Sequence, residues 1–443
     1  MTAGFAERCR RAIGGDAVVT DGKRLNACAV DGIVPDVLLA PGTVEEAVGV
    51  VRLASEQEVP LLFRGSGTKL RHGLPLKNCP AILSTERLRD VVDFDGKNFT
   101  VTVQGGMSLD ALEAYLVGED MFFPFDPPYP RSTVGGNIAS KANGPSRLMY
   151  GALRDLLLGV EVVLASGEVV RFGGMVMKNV AGYDMTKFFV GTLGTVGLIA
   201  EATLKLHAVP ERRETVAAWF DSPAAALKLS RAITGSYLEP CKIVMLDPGG
   251  YNLVVGKASA HGALAVYLLV GFEGVEEAVR REVREVLDLC REMGGREEAC
   301  LDGEAVWESI RELHQRFADA NSDGVVCRIN VCLAKLEPVI EELKTVFESS
   351  VAPAAILCDS GCAMIYCYIP DAEASEQAMT AESLSRLAHA NEGFFRIELA
   401  PRAVRQRVGY LTPAAPTTAI MEHLQRRFDP RGILHPEKLF GSA

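Results

Sequence analysis

From residue 41 the apolar positions alternate between two periods. Short runs of period two or of unbroken apolar residues are followed by stretches repeating every three to four, as strands and amphipathic helices do. Thr43-Val-Glu-Glu46 reads as a capping box and opens a helix running to Gln57, and residues 60–63 form the next strand. Strands are also predicted over 100–103, 157–164 and 197–206, with glycine-rich turns at 64–67, 104–106, 135–136, 173–174 and 191–197. Past Pro210 the glycine clusters thin out. Val275, Val279, Val283, Val286, Cys290 and Met293 share one helical face, as do Val306, Ile310, Leu313 and Phe317. Strands over 215–220, 253–255, 264–270, 325–332, 356–358 and 364–369 complete the pattern. This predicts an α+β architecture whose second half is an antiparallel sheet with helices on one face, built as two βαββαβ units. A final helix spans 417–428.

The chain has 443 residues, enough for two or three domains. The expected division is an N-terminal segment (1–35), a first domain (36–210), a second domain (211–400) and a C-terminal segment (401–443). A formal net charge of −11 argues against sequence-independent nucleic-acid binding. The longest stretch without charge, 15 residues from 258 to 272, contains Ser259 and His261 and is too short and polar to span a membrane. The first ten residues lack the apolar core of a secretory signal, so a cytoplasmic location is expected. Eleven cysteines without a Cys-x-x-Cys pair fit free thiols. Cys358 and Cys367 lie in apolar runs that read as a hairpin, and with Cys362 they are expected as core thiols, not metal ligands.

Candidate chemistry sits in three small-residue loops. Arg64-Gly65-Ser66-Gly67-Thr68-Lys69 can turn successive N–H groups toward a phosphate, although a tight turn explains it equally well. It runs into Leu70-Arg71-His72-Gly73-Leu74-Pro75, which cannot propagate the helix that a nicotinamide-binding Rossmann loop requires. The second loop is Ser132-Thr133-Val134-Gly135-Gly136-Asn137-Ile138-Ala139-Ser140, and the third runs from Lys178-Asn179-Val180-Ala181-Gly182-Tyr183-Asp184 to Gly191–Ile199. Their number implies a long cofactor carrying several phosphates.

Together with Pro41-Gly-Thr-Val-Glu-Glu-Ala, Tyr150-Gly151, Arg154-Asp155 and the tail Phe428-Asp429-Pro430-x-Gly432-Ile433-Leu434, these loops resemble the vanillyl-alcohol oxidase / p-cresol methylhydroxylase superfamily of FAD-binding oxidoreductases. Within it, the run from Phe172 to Asp184 is most similar to the FAD-binding subunits of bacterial glycolate oxidase complexes. The resemblance implies a two-lobed PCMH-type FAD domain, an α+β cap with an antiparallel sheet, and a C-terminal helix returning to the FAD domain. It implies pyrophosphate contacts at Arg64, Gly65, Ser66, Gly67, Thr68 and Lys69 and at Ser132, Thr133, Gly136, Asn137 and Ser140, with the adenosine near Gly194 and Ile199. Thr68 occupies the position where covalent members carry histidine, so FAD is expected to be non-covalent. His72 is expected to bond within its own loop.

The implied partners are a second flavoprotein and an iron–sulfur subunit, which could associate the chain with a membrane, and the implied substrate is a small 2-hydroxyacid. Metal-assisted relatives carry two histidines seven apart and a Glu-His pair. Here the histidines are 72, 207, 261, 314, 389, 423 and 435, no two seven apart, and Glu422-His423 falls on the last helix, where a surface position is expected. His435 reads as part of a turn. Catalytic residues are therefore not legible, and no metal site is expected. Three functions remain open: a 2-hydroxyacid dehydrogenase subunit, a self-sufficient oxidoreductase using Tyr129 and Arg131, and a flavin-stabilised scaffold.

Overall fold

Strands Val37–Leu39, Ala81–Ser84 and Leu61–Arg64 are almost wholly apolar and pair in parallel, with Leu61–Arg64 at the sheet edge. Val18–Val19 adds an antiparallel fourth strand, supplied by the N-terminal segment. This computed structural model describes residues 2–175, 182–262, 265–298, 301–348, 354–410 and 415–440. The helix Val44–Gln57 starts as its capping box predicts: Thr43 Oγ1 accepts from the Glu46 N–H at 3.2 Å, while the Glu46 carboxylate reaches back to the Gly42 N–H. Its Ala47, Val50, Val51 and Ala54 face a core shared with Phe5, Cys9 and Ile13 of the helix Thr2–Ile13.

A second lobe is an antiparallel sheet of Val91–Asp95, Thr100–Gln104, Leu198–Lys205, Leu157–Val163 and Val169–Gly173 in that order. Gly135 and Gly136, expected in a turn, lie instead in the helix Val134–Ser140. Thr133 caps it, accepting from the Gly136 N–H at 3.2 Å, and a Cβ on Gly135 would sit 2.9 Å from the Gly105 carbonyl. Close packing requires that glycine.

The third layer is an eight-stranded sheet, antiparallel throughout. Its second half, from Val325–Asn330 to Phe394–Leu399, follows the βαββαβ order. The first half departs from it, because residues 253–255 are helical within Pro248–Val255. Asp247 caps that helix and Pro248 fills its first turn, local signals that outweigh three apolar residues. The helices also cover both faces, not one. Pro223–Thr234, Glu276–Glu292, Leu336–Glu348 and Ala374–Ala390 pack on one side, and Pro248–Val255, Gly303–Arg311 and Leu313–Ala320 on the other. Val306, Ile310, Leu313 and Phe317 are buried as expected, but across two helices. The helix read from Val275 starts at Glu276, with Val275 as its cap and 59% exposed, so the buried face begins at Val279. Ala355–Asp359 and Met364–Ile369 form the predicted hairpin, with Cys358 and Cys367 fully buried and Cys362 half-buried.

The tail returns to the first two layers. The Ile433 carbonyl accepts from the Leu61 N–H at 2.8 Å, Ile433 and Leu434 join the first core, and Phe428 packs on Phe188. Among the described residues no helix is long and apolar enough to cross a membrane.

Candidate active site

The helix Val134–Ser140 is where the three glycine loops meet. A Cβ on Gly65 would lie 2.2 Å from Thr133 Oγ1, so the first loop is pressed against the start of this helix. The third loop is pinned to its far end: the Gly191 N–H donates to Ile138 O at 2.9 Å and the Leu193 N–H to Ala139 O at 2.8 Å. Between them lies a cleft of about 500 Å³ lined by Gly65, Ser66, Gly67, Thr68, Lys69, Ser132, Thr133, Gly136 and Ser140, with Leu193 and Lys438. Arg64 faces a neighbouring cavity of about 940 Å³ that shares Ser66, Gly67 and Thr68. Asn137 stands behind the wall, fully buried, where it accepts from Lys69 Nζ and donates to Ser132 Oγ at 2.8 Å. Gly194 abuts Phe63, which lines the cleft, whereas Ile199 lies in the second core. Lys178, Asn179, Val180 and Ala181 lie outside the described residues.

The loop suits a polyphosphate. Gly67 has φ 88°, a conformation glycine adopts without strain. The N–H groups of Ser66, Gly67, Thr68 and Lys69 find no acceptor among the described residues, and Arg64 Nε is buried without a partner. Such a run of donors suits an anion. The C-terminal segment holds the loop in place, with Lys438 Nζ on Leu70 O at 2.8 Å and Lys438 O accepting from the Leu74 N–H at 2.7 Å. Arg405 adds a bond to Gly73 O at 3.1 Å and an ion pair with Asp31.

Sequence reasoning missed the polar cluster where the eight-stranded sheet meets this loop. Glu398 Oε1 accepts from Arg396 Nε (3.0 Å) and Arg396 Nη2 (2.6 Å) and is ion-paired with Arg328 Nη1 at 3.0 Å. Arg396 Nη1 also donates to Ser140 O at 2.9 Å, fastening the sheet to the cleft helix. Burial alone would raise the Glu398 carboxyl, but the two guanidiniums hold it far below the carboxylate range. His72 is not bonded within its loop: both ring nitrogens lack a hydrogen bond, and Nε2 faces Glu398 Oε2 at 3.6 Å. Burial, only partly offset by Glu398, brings Lys69 down to about 7. The same desolvation takes His314 to about 3, and its Nδ1 is hydrogen-bonded with Tyr368 Oη at 3.1 Å. Tyr129 joins the cluster beneath Lys69 Nζ, 5.4 Å from its ring centre, while Arg131 is exposed. These groups line one small cavity together with Lys69, which also lines the cleft.

Glu422 is half-buried and His423 exposed on the last helix, and His435 is a buried turn residue paired with Glu437 at 3.0 Å. The detectable signal for the cluster was the strand Phe394–Leu399, in which Arg396 and Glu398 alternate with buried Phe395, Ile397 and Leu399. Two charges inside an apolar alternation need a buried partner.

Residues 35–173 match the FAD binding domain family, and residues 209–398 match the family of FAD linked oxidases, C-terminal domain. The chain is 34% identical over 266 residues to glycolate oxidase subunit GlcD of Bacillus subtilis, a match covering 58% of this chain and 56% of that protein. It is 28% identical to the probable mitochondrial D-lactate dehydrogenase of Danio rerio, over 91% of this chain and 84% of that one. In fold it is similar to p-cresol methylhydroxylase, with a TM-score of 0.77 over 98% of this chain and 96% of that chain at 16% identity. With both domains present in order and a loop whose free donors suit a polyphosphate, the chain belongs to the FAD-linked oxidoreductases related to glycolate oxidase subunits and D-lactate dehydrogenases, and is an FAD-dependent enzyme.

Proposed function

We propose that this chain is the FAD-binding subunit of a glycolate / D-lactate class 2-hydroxyacid dehydrogenase, passing electrons to a partner flavoprotein and an iron–sulfur subunit. One observation carries the substrate class. The buried cavity holds the guanidiniums of Arg328 and Arg396 against a single carboxylate, Glu398, and this cationic excess suits an acid. FAD, held non-covalently by the Arg64–Lys69 loop and by Gly136 and Asn137, with its adenosine near Gly194 and Ile199, supplies a two-electron acceptor. Arg328, whose Nε lacks a partner, anchors the substrate carboxylate. Lys69 Nζ takes the hydroxyl proton in its neutral form, which burial makes available near pH 7. Glu398 fixes both guanidiniums, and Tyr129 and His314 keep water out.

The test is anaerobic mixing of the FAD-loaded chain with glycolate or D-lactate while the flavin absorbance is followed. Bleaching in one turnover, with sustained turnover only on adding the partner or a dye, supports the proposal. Flavin that no 2-hydroxyacid reduces refutes it and leaves the scaffold reading. Sustained turnover with oxygen alone favours the self-sufficient enzyme, a reading that the completeness of the cluster within this chain supports.

A further inference from the structure

Three further cations, Lys141, Arg147 and Arg154, stand outside the buried cavity, and the proposed reaction gives them no role. Arg396 Nη1 donates to Ser140 O, the carbonyl bonded to the Lys141 nitrogen. Ala142 and Asn143, the next two residues, line the cavity with Arg328 and Arg396. Arg147 Nη1 donates to Asn143 Oδ1 at 3.2 Å, and Arg154 comes from the short helix Leu153–Leu156 that follows. Burial, with the charges of Arg328, Arg396, Arg154 and Arg147 added to it, holds the Lys141 amine below the ordinary lysine value. Lys141 and Arg154 are exposed and Arg147 is half-buried, while Arg328 and Arg396 lie inside. Positive charge therefore leads in steps from the surface to the cavity.

Acids outnumber bases in this chain, 57 to 46, and surface arginines elsewhere find carboxylates: Arg8 pairs with Glu56, Arg231 with Glu337 and Arg407 with Glu382. Among the described residues Lys141, Arg147 and Arg154 form no ion pair. The acids around them are engaged with other groups. Asp126 takes Lys242 Nζ at 3.1 Å, Asp155 accepts from the Ala152 N–H at 2.9 Å, and Glu398 holds Arg396. Asp359, near Arg147, is raised by burial to about 8 and carries no charge at pH 7. Like charges gathered without a counter-charge repel one another and set up a local potential that attracts anions.

Resting on the 2-hydroxyacid reading, we propose that Lys141, Arg147 and Arg154 form the approach along which an anionic substrate is drawn to the guanidiniums of Arg328 and Arg396. They act on the charge of the substrate and not on its shape. Their effect belongs to the rate of arrival, and the chemical step is left to the groups inside.

The test is anaerobic rapid mixing of the FAD-loaded chain with D-lactate well below saturation, at ionic strengths of about 0.01 M and about 1 M, where charges are screened beyond roughly 30 Å and 3 Å. Replacing all three cations together (Lys141→Gln, Arg147→Gln, Arg154→Gln) should lower the second-order constant for flavin reduction about tenfold or more at low ionic strength. At about 1 M the two proteins should agree, and the rate at saturating D-lactate should match at both. Oxalate, an anion with no hydrogen to give, should show the same loss in its association rate, followed by the perturbation of flavin absorbance. Should the triple variant fold poorly, Arg154→Glu, at an exposed position with no bond to lose, carries the test and should slow arrival several-fold at low ionic strength. An unchanged second-order constant, or a loss that persists in full at about 1 M, overturns the proposal and leaves the 2-hydroxyacid reading standing. So does a loss confined to reoxidation by a partner protein, which would make the patch a docking face for an acidic protein. If no 2-hydroxyacid reduces the flavin, that reading fails and the proposal with it.

Discussion

Replacing Glu398 by alanine should destabilise the eight-stranded sheet more than most single substitutions can. The change removes two charge-assisted bonds from Arg396 and an ion pair with Arg328, in a place where those two residues are only 7% and 8% exposed. Stripping one partner from a buried ion pair costs about 3–5 kcal/mol, because the charge left behind stays desolvated. At about 2–4 °C per kcal/mol for a unit of 150–250 residues, the melting temperature should fall by roughly 6–20 °C. The effect also has a sign in pH. The folded-state carboxyl lies below its unfolded value of about 4.3, so its contribution is complete above that pH. It is lost as pH falls through the folded value. Melting curves of the unmodified chain and Glu398→Ala between pH 8 and pH 3 should therefore stay apart down to about 4.5 and converge below it. Replacing Glu398, Arg396 and Arg328 together by apolar residues should recover much of the loss, since no charge is stranded. A drop under 2 °C at pH 7, or a gap that persists unchanged at pH 3, would refute the account of Glu398 as the counter-charge of the cluster.

In Lys69→Met the anaerobic flavin-reduction rate should fall about 10²–10⁴-fold. The rate of the unmodified chain should rise with pH through about 7, as the amine loses its proton, and that dependence should vanish in the variant. Gly67→Val forces a β-branched residue to φ 88° at a cost of about 1–3 kcal/mol and turns its side chain into Arg64, so the folded variant should purify without flavin. Acid precipitation of the unmodified chain should leave FAD in the supernatant, because Thr68 offers no nucleophile of the kind histidine or cysteine would; yellow protein in the pellet would show a covalent link.

What the sequence made legible was whatever is decided locally. Thr43 and Glu46 announce their helix, Cys358 and Cys367 their hairpin, and the glycines mark where backbone approaches backbone. The reading failed where local cues compete. The short apolar run Leu253-Val254-Val255 gave no sign that Asp247 and Pro248 had already started a helix. The strands Lys242–Leu246 and Phe394–Leu399 were not predicted at all, and with the second went the cluster. Arg328, His314, Tyr366 and Glu398 are far apart along the chain, and only strand register and a helix on the second face of the sheet bring them together. Thiols and charges alternate on these strands, Cys327 beside Arg328 and Cys358 beside Asp359, so the thiols that suggested a plain core mark its opposite face.

The grip of Lys438 on Leu70 and Leu74 sets an order of events during synthesis. A ribosome makes the phosphate loop early, yet the residue that clamps it is added 368 residues after Leu70. While the chain is still being translated, the loop lacks both this clamp and the brace from Arg405. Closing the cradle thus waits until residue 438 has been made, and a nascent chain stalled before that residue holds a loop without its clamp.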